Sequence, residues 1–287
     1  MAYQSVFAPG LFDGRVIVIT GGGSGIGRCV AHELAALGAT VLITGRKVEK
    51  LEATVAEIVE DGGKAAHYSF DIRDEDAVKA AVKQMLADHG AIHGLVNNAG
   101  GQYPMPLEMI GKKGWEAVVA NNLTGGFLMA RECYTQHFKK NGGAIVNMLA
   151  DMWGGMPGMG HSGAARAGML NFTETAAIEW GVAGVRVNAV APGYVASSGM
   201  DHYDPSFAKE VIPKLSGIAP LKRMAEEAEV SAAIVFLLSP GAAFITGTCV
   251  KIDGGSGLNP KAFPLQDHDR SKPYTGFHRA FKPKAVK

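Results

Sequence analysis

A glycine-rich segment near the amino terminus has the character of a phosphate-binding loop. Residues 20–27 read TGGGSGIG and join a β-branched run, Arg15–Thr20, to a segment with helical periodicity. Glycines allow a tight turn and close approach to a pyrophosphate, and a helix N-terminus offers unpaired N–H groups. The context between strand and helix predicts dinucleotide binding, with a purely structural turn as the alternative. The predicted contacts are Gly21, Gly23, Ser24, Gly25, Ile26 and Gly27.

The end of the second apolar run indicates which dinucleotide is bound. It reads Thr44-Gly45-Arg46-Lys47, and the first acid is Glu49. A carboxylate at this place would accept a hydrogen bond from the ribose 2′-hydroxyl of NAD. The cations Arg46 and Lys47 suit a 2′-phosphate instead, so the sequence favours NADP(H). The alternative is a pair of solvent-facing residues at the start of a helix.

The elements that must position these residues alternate between strand and helix. Short apolar runs are separated by amphipathic segments, a pattern that predicts one doubly wound α/β domain with a parallel sheet of about seven strands and helices on both faces. Ligands of such sheets bind at the carboxyl ends of the strands. The predicted strands are Arg15–Thr20, Thr40–Thr44, Ala65–Phe70, Gly94–Asn97, Ala144–Met148, Val185–Val190 and Cys249–Ile252.

Composition excludes several classes of protein. The 287 residues carry 28 Lys and Arg against 27 Asp and Glu, which argues against nucleic acid as the main partner. The longest apolar run, Ala232–Leu238, is far shorter than a membrane helix needs. No basic segment resembling a secretory signal stands at the amino terminus. Three widely spaced cysteines, Cys29, Cys133 and Cys249, fit a reduced cytoplasmic protein without a metal site.

The charge is uneven along the chain. Residues 261–287 hold seven Lys or Arg against two Asp, a net charge of +5. We expect residues 1–257 to form the dinucleotide-binding domain, with a substrate loop at about 196–225, and residues 258–287 to form a basic tail that is not a separate domain. The tail could meet an anionic ligand, or it could be solvated.

The glycine loop and five further motifs resemble the short-chain dehydrogenase/reductase family over about residues 12–257. They are Thr20–Gly27, Asp71-Ile72, Asn97-Asn98-Ala99-Gly100, Asn122 within Asn-Asn-Leu-Thr-Gly, Pro192-Gly193 and Ile252-Asp253-Gly254-Gly255.

The resemblance implies a role for each matching position. Asp71 and Ile72 would flank the adenine, and Asn98, Ala99 and Gly100 would line the adenosine ribose and the central cofactor. The backbone of Pro192, Gly193, Tyr194 and Val195 would hold the nicotinamide carboxamide, and Asn122 would anchor a proton-relay network. The helices containing Trp115–Lys139 and Gly168–Trp180 resemble those that pair subunits, which implies a homotetramer or a homodimer.

The catalytic positions depart from the family pattern of Ser, Tyr and Lys. The segment His161–Gly168 aligns so that Ser162 stands at the tyrosine and Arg166 at the lysine, and Ile145–Asp151 holds no serine. A serine is a poor acid near neutral pH but can donate a hydrogen bond. An arginine holds its proton, yet can bind ribose hydroxyls. Such donors suit conjugate reduction, where negative charge develops on a thioester oxygen.

The same departures resemble the peroxisomal trans-2-enoyl-CoA reductases and their bacterial relatives, and also the 2,4-dienoyl-CoA reductases. The matching segments are His161–Gly168, Gly101-Gln102, Lys113-Gly114-Trp115, Ser239-Pro240, Phe244–Gly247 and Asp267-His268-Asp269. We therefore expect NADP(H)-dependent reduction of an enoyl-CoA or dienoyl-CoA, with Asn122, Ser162, Arg166 and His161 as the catalytic set.

Two other functions stay open at this point. The protein could be a carbonyl or alcohol dehydrogenase with a displaced acid, for which Tyr103, Tyr194 and Asp151 are candidates, or a dinucleotide-binding protein without catalysis. His161 could be a hydrogen-bond donor, a proton source or a packed loop residue. Methionines 148, 152, 156 and 159, with Trp153, are expected beside the substrate cleft, where flexible side chains suit an acyl chain.

Overall fold

A single sheet of seven parallel strands runs through the molecule in the order β3-β2-β1-β4-β5-β6-β7. The structure, a computed structural model, describes residues 2–202, 209–258 and 264–286. Residues 203–208 of the predicted substrate loop, and 259–263 and 287 of the predicted tail, lie outside the described residues. The strands are β1 (Val16–Thr20), β2 (Thr40–Gly45), β3 (Lys64–Ser69), β4 (Gly94–Asn97), β5 (Gly143–Met148), β6 (Val185–Pro192) and β7 (Cys249–Ile252).

Helices cover both faces of the sheet, which confirms the predicted doubly wound α/β fold. They are α1 (Gly25–Ala36), α2 (Val48–Glu60), α3 (Glu75–His89), α4 (Lys112–Val119), α5 (Gly125–Cys133), α6 (Lys139–Asn141), α7 (Gly160–Trp180), α8 (Ile212–Ile218) and α9 (Glu227–Leu238). One-turn π-helical segments, Ala120–Thr124 and Tyr134–Phe138, join α4 to α5 and α5 to α6.

The central strands are apolar throughout because both of their faces are buried. Along β1, Ile17 and Ile19 pack into the core beneath α1 and α9, whereas Val16 and Val18 pack into the core beneath α3 and α5. The two cores are thus divided by the sheet, as the two-residue period of a strand requires.

The strand order reverses beside β1, and this reversal positions the site. β2 lies on one side of β1 and β4 on the other, all parallel. The loops that leave β1 and β4 therefore diverge to opposite faces and leave a crevice at their carboxyl ends. In a sheet of this kind the crevice is where a ligand binds.

The C-terminal tail, residues 264–286, packs against the domain. Phe277 is buried and stacks on Tyr3, with ring centroids 5.7 Å apart. The Gln4 N–H donates to the Gly276 carbonyl at 2.9 Å, so the amino-terminal segment, residues 2–7, and the tail meet over α1. Arg279 pairs with Asp61 at the end of α2, 2.8 Å away.

The surface of the described residues carries a few large apolar side chains. Ile178 on α7 is 83% exposed, and Val182, just beyond that helix, is 92% exposed. No helix among the described residues combines the length and the apolar character needed to cross a membrane.

Candidate active site

The glycine loop lies between β1 and α1 and closes tightly on the loop after β4. A Cβ on Gly27 would fall 2.4 Å from the Asn98 side-chain nitrogen, so only glycine fits at that position. Asn98 in turn donates to the Thr20 carbonyl at 2.9 Å, and its backbone N–H donates to the Thr20 hydroxyl at 3.0 Å. Ser24 precedes α1 without capping it, and the first turn of α1 contains no acid. The start of α1 is therefore open to an anion.

Cations surround the end of β2, where a 2′-phosphate is expected. Arg46 and Lys47 are both exposed, and Lys47 immediately precedes α2. Arg46 lies 3.9 Å from the Asp71 carboxylate, and Arg73 binds the same carboxylate through two nitrogens. The hydrogen bonds from Arg73, with its charge and that of Arg46, lower the pKa of Asp71 to about 2. Asp71 is thus an anion held between two arginines.

The predicted adenine and ribose positions line the same crevice. Ile72 is buried against Gly125, the first residue of α5. The Ala99 N–H donates to the Thr20 hydroxyl at 2.9 Å. Gly100 passes between two polar side chains: a Cβ there would lie 2.6 Å from Asn122 Oδ1 and 2.7 Å from Arg166 Nη2. Only a glycine backbone can follow this path.

The segment after β6 is fixed by the end of β7 and by Ala225, two residues before α9. The Gly193 N–H donates to the Ile252 carbonyl at 3.0 Å, and a Cβ on Gly193 would fall 2.9 Å from Asp253 Cα. Val195 forms an isolated bridge with Ala225. The backbone from Pro192 to Val195 therefore holds a fixed position at the carboxyl edge of the sheet.

Arg166 is a buried cation in the second turn of α7. Its Nη1 donates to the Met148 carbonyl at the end of β5, whereas its Nε has no partner among the described residues. Burial lowers the pKa of its guanidinium to about 10, yet the group stays charged at neutral pH. A buried cation of this kind calls for hydroxyl or anionic oxygens, which ribose hydroxyls would supply.

Asn122 is buried in the π-helical turn that leads into α5. Its side-chain amide donates to the Gly101 carbonyl at 2.7 Å and to the Val118 carbonyl at 2.9 Å, and its oxygen accepts the Gly101 N–H at 3.1 Å. π-turns of this type are frequent at functional sites. Asn122 thus holds the loop after β4 through both backbone groups of one residue, Gly101.

This arrangement places Gln102 against Ser162, in the first turn of α7. The Ser162 hydroxyl donates to the Gln102 side-chain oxygen at 2.5 Å. Ser162 is fully buried, and this hydrogen bond connects its hydroxyl to the loop after β4. The sequence predicted no role for Gln102. It occurred only in the Gly101-Gln102 segment that resembles the enoyl-CoA reductases, and no other feature of the sequence pointed to it. The amide oxygen of Gln102 is thus engaged, and no hydrogen bond of its amide nitrogen is found among the described residues.

His161 lies beside this pair and is also fully buried. Its Nδ1 accepts the Ser162 N–H at 2.9 Å, so the neutral ring carries its proton on Nε2. That nitrogen is without a partner among the described residues. The Tyr103 ring meets the His161 ring edge-on at a centroid distance of 4.7 Å. The site thus contains an unsatisfied buried donor and, beside it, a tyrosine.

The other two acid candidates are engaged elsewhere. Asp151 accepts a hydrogen bond from the Ser256 hydroxyl at 2.9 Å and so ties the loop after β5 to the loop after β7. Tyr194 is 44% exposed and lines a cavity of about 110 Å³ with Leu215 of α8 and Arg223.

The methionine-rich loop borders a separate cleft of about 380 Å³. The cleft is lined by Met152, Trp153, Met156 and the face of α7 that carries Ala164 and Ala167. Ser162 and Arg166 lie on the buried face of that helix, so the cleft adjoins the catalytic positions without containing them.

The residues present fit a dinucleotide. The glycine loop is a cradle that a Cβ at Gly27 would close, and the buried Nε of Arg166 has no partner among the described residues. For metal ions, the part of the chain that the structure describes holds no group of three or more His, Cys, Asp or Glu side chains placed to bind one.

Comparison with known proteins agrees with this geometry. A family model described as Enoyl-(Acyl carrier protein) reductase matches residues 21–257. The chain belongs to the short-chain dehydrogenase/reductase family, whose members bind NAD(P), and it is an oxidoreductase. The predicted family membership is therefore confirmed.

The relatives include both reductases and dehydrogenases. A Bacillus subtilis protein named "Probable 2,4-dienoyl-CoA reductase" is 37% identical over 254 residues, which cover 87% of this chain and 99% of that protein. The levodione reductase of Leifsonia aquatica is 35% identical over 254 residues, covering 85% and 94%. The solved structure of the citronellol catabolism dehydrogenase AtuB of Pseudomonas aeruginosa PAO1 is 61% identical, with a TM-score of 0.80, and the match covers 89% of this chain and 100% of that one.

Proposed function

We propose that the protein reduces the conjugated double bond of an enoyl-CoA or dienoyl-CoA thioester with NADP(H). The observation that carries this proposal is the hydrogen bond between Ser162 and Gln102, next to the unsatisfied Nε2–H of His161. These groups donate hydrogen bonds at the place where the family usually has an acidic tyrosine. A carbonyl reduction needs an acid at the oxygen, whereas a conjugate reduction needs donors there.

NADPH, when bound, would supply the hydride that is added to Cβ of the unsaturated thioester. Arg166 would hold the ribose hydroxyls next to the nicotinamide. Its hydrogen bond to the Met148 carbonyl keeps the guanidinium group in position. Arg46 and Lys47 hold the 2′-phosphate, which is the reason for preferring NADP(H) to NAD(H). The glycine loop and the start of α1 bind the pyrophosphate.

Negative charge develops on the thioester oxygen as the hydride arrives. The Gln102 amide and the His161 Nε2–H stabilise the enolate by hydrogen bonds, and Ser162 orients Gln102. Asn122 positions the loop that carries Gln102 through its two bonds to Gly101. The reduction is completed by a proton at Cα, which water supplies in this proposal.

Relatives support this assignment at the level of substrate class. The Bacillus subtilis relative is named as a dienoyl-CoA reductase, and peroxisomal dienoyl-CoA reductases of Danio rerio and Mus musculus are 31% and 32% identical to this chain. We also propose a homotetramer or homodimer, paired through α5 and α7, where Ile178 is exposed. The expected cytoplasmic setting stays a prediction.

A second function is favoured by one further observation. The Tyr103 ring contacts His161, and a tyrosine hydroxyl is an acid that carbonyl chemistry can use. The dehydrogenase of citronellol catabolism, at 61% identity, points the same way. In this alternative the protein interconverts an alcohol and its aldehyde or ketone, with Tyr103 as the displaced acid.

Turnover of purified protein distinguishes the two functions. NADPH oxidation is measured with crotonyl-CoA, a medium-chain trans-2-enoyl-CoA and a dienoyl-CoA, and with a panel of aldehydes and ketones; citronellol is tested with NADP⁺ and NAD⁺. We expect turnover of the thioesters, loss of activity in Ser162→Ala and little change in Tyr103→Phe. Turnover of the carbonyl compounds or citronellol alone, abolished by Tyr103→Phe, would overturn conjugate reduction.

A further inference from the structure

Glu227, at the start of α9, is a buried acid that the proposed reaction does not use. It is 2% exposed, and its Oε1 has no hydrogen-bond partner among the described residues. That oxygen lies 3.9 Å from the position that a Cβ on Gly25 would occupy. Gly25 is the first residue of α1, so the carboxyl group abuts the helix start that faces the expected pyrophosphate.

The cation whose charge acts on Glu227, Arg28, is bound to other groups. Arg28, one turn into α1, binds both oxygens of Glu57 at 2.7 and 2.8 Å, and its third nitrogen donates to the Arg279 carbonyl. Its charge still acts on Glu227 through space, but it forms no hydrogen bond with it. The Glu227 carboxyl therefore has no hydrogen-bonded cation among the described residues, and the positive ends of α1 and of its own helix, α9, lie beside it.

None of the other titratable groups described around Glu227 neutralises its carboxylate. Cys29 of α1 is buried against Tyr3 of the amino-terminal segment. Glu226 precedes Glu227 and repels its ionised form, while Lys282 of the tail acts on Glu226. Glu33, further along α1, accepts hydrogen bonds from Tyr3, Ser5 and Ser231 and is satisfied by them. Glu227 is the member of this set that faces the glycine loop without a donor.

We propose that Glu227 couples cofactor binding to proton uptake. When the pyrophosphate of NADP(H) binds at the start of α1, the carboxyl group takes up a proton from solvent, so that affinity for the dinucleotide falls as the pH rises. The inference rests on the proposed binding of NADP(H) at the glycine loop.

Because it is buried, the Glu227 carboxyl titrates near neutral pH, where binding can be measured. Burial raises the pKa of the Glu227 carboxyl to about 7 in the free protein. A pyrophosphate at the same helix start adds negative charge and competes for the helix dipole, and both effects raise that pKa further. The affinity for the dinucleotide is then constant well below pH 7. It falls as the pH rises from the pKa of Glu227 in the free protein to its pKa in the bound protein.

Isothermal titration calorimetry in buffers of different ionisation enthalpy measures the coupling directly. NADPH is titrated into the wild type, Glu227→Gln, Glu227→Met and Glu226→Gln at pH 7, and thermal melts verify that each variant folds. NADH serves as a second probe because it lacks the 2′-phosphate, a group that titrates near pH 6. Glu226→Gln is the matched control, since it removes an acid from the adjacent position.

We expect the wild type and Glu226→Gln to take up about 0.3–0.5 proton per NADH bound, and both Glu227 variants to take up almost none. Between pH 6 and pH 8.5 the Kd for NADH rises several-fold in the wild type and stays flat in Glu227→Gln. Equal proton uptake by the wild type and both Glu227 variants would overturn the coupling. Absence of any dinucleotide binding would overturn the proposed cofactor site as well.

Discussion

The Ser162 hydroxyl donates to the side-chain oxygen of Gln102 at 2.5 Å, and this bond joins residues 60 positions apart. It engages the amide oxygen of Gln102, and in the proposed reaction the N–H groups of this amide donate to the substrate oxygen. Asn122 holds the loop that carries Gln102. The helix that carries Ser162, α7, is held to β5 by the hydrogen bond from Arg166 to the Met148 carbonyl. A pair of uncharged side chains thus stands where the family usually has an acid.

Removing the Ser162 hydroxyl tests whether the pair serves catalysis. In Ser162→Ala, Gln102 loses the donor that orients it, so one oxyanion donor is lost at the thioester. We expect kcat/KM for an enoyl-CoA to fall about 10²-fold, with the Kd for NADPH unchanged. Steady-state kinetics and fluorescence titration measure the two quantities. An equal loss of cofactor affinity would assign Ser162 to the nucleotide site instead.

Arg166 is predicted to bind the cofactor. Arg166→Ala removes a buried cation that would bind ribose hydroxyls, and hydrogen bonds of charged groups contribute about 1.5–3 kcal/mol. We expect the Kd for NADPH to rise about 10–100-fold. Arg166→Lys restores the residue usual in the family and is expected to recover part of the affinity. Unchanged affinity in the alanine variant would refute the alignment of Arg166 with the family lysine.

The preference for NADP(H) is predicted to depend on Arg46 and Lys47. Replacing both with Ala removes two exposed cations, which together contribute about 1–2 kcal/mol to binding of a phosphate. We expect kcat/KM for NADPH to fall while that for NADH changes little. Lys140→Ala, an exposed lysine away from the glycine loop, is the control. An equal loss with both cofactors would contradict a 2′-phosphate site.

The buried carboxyl of Glu227 is predicted to make stability depend on pH. Its pKa is raised from 4.5 to about 7 in the folded protein, so folding favours the protonated form. The stabilisation is complete below pH 4.5 and is lost as the pH rises through 7. We expect Glu227→Gln to match the wild type near pH 4.5 and to exceed it at pH 8, by ~3 kcal/mol at most. Urea unfolding at both pH values measures this difference.

The packing of the tail is predicted to contribute to stability. Phe277→Ala removes a ring that is 4% exposed and that contacts Tyr3 and His32, and such truncations cost about 3 kcal/mol. Phe281, 42% exposed four residues later, is the matched control, and its replacement by Ala is expected to cost about 0.5 kcal/mol. Equal melting temperatures for the two variants would show that the tail is not part of the folded domain.

Most of the fold could be predicted because its signals are local. Each predicted strand is a short apolar run, and each lies in the sheet with small shifts at its ends. The third strand was predicted at Ala65–Phe70 and lies at Lys64–Ser69, and the sixth extends to Pro192 beyond the predicted Val190. Such boundaries depend on pairing with neighbouring strands, which a single run does not record.

The site was less predictable because its contacts join distant parts of the chain. The glycine loop has a local signature, whereas Gln102 acquires its role only when the loop after β4 meets α7. Nothing in the segment around His161 indicates that its Nε2 is left without a partner. Likewise, the charge of the tail suggested an anionic ligand or a solvated segment, but Arg279 pairs with Asp61 and Glu60.

The meeting of the amino-terminal segment with the tail has a consequence for synthesis in the cell. Tyr3 and α1 leave the ribosome more than 200 residues before Phe277, a delay of at least roughly 10 s at 5–20 residues per second. During that interval the part of α1 that carries Arg28 and Cys29 has no Phe277 to cover it. The nascent chain therefore exposes a thiol and a partly apolar helix face that the finished protein conceals.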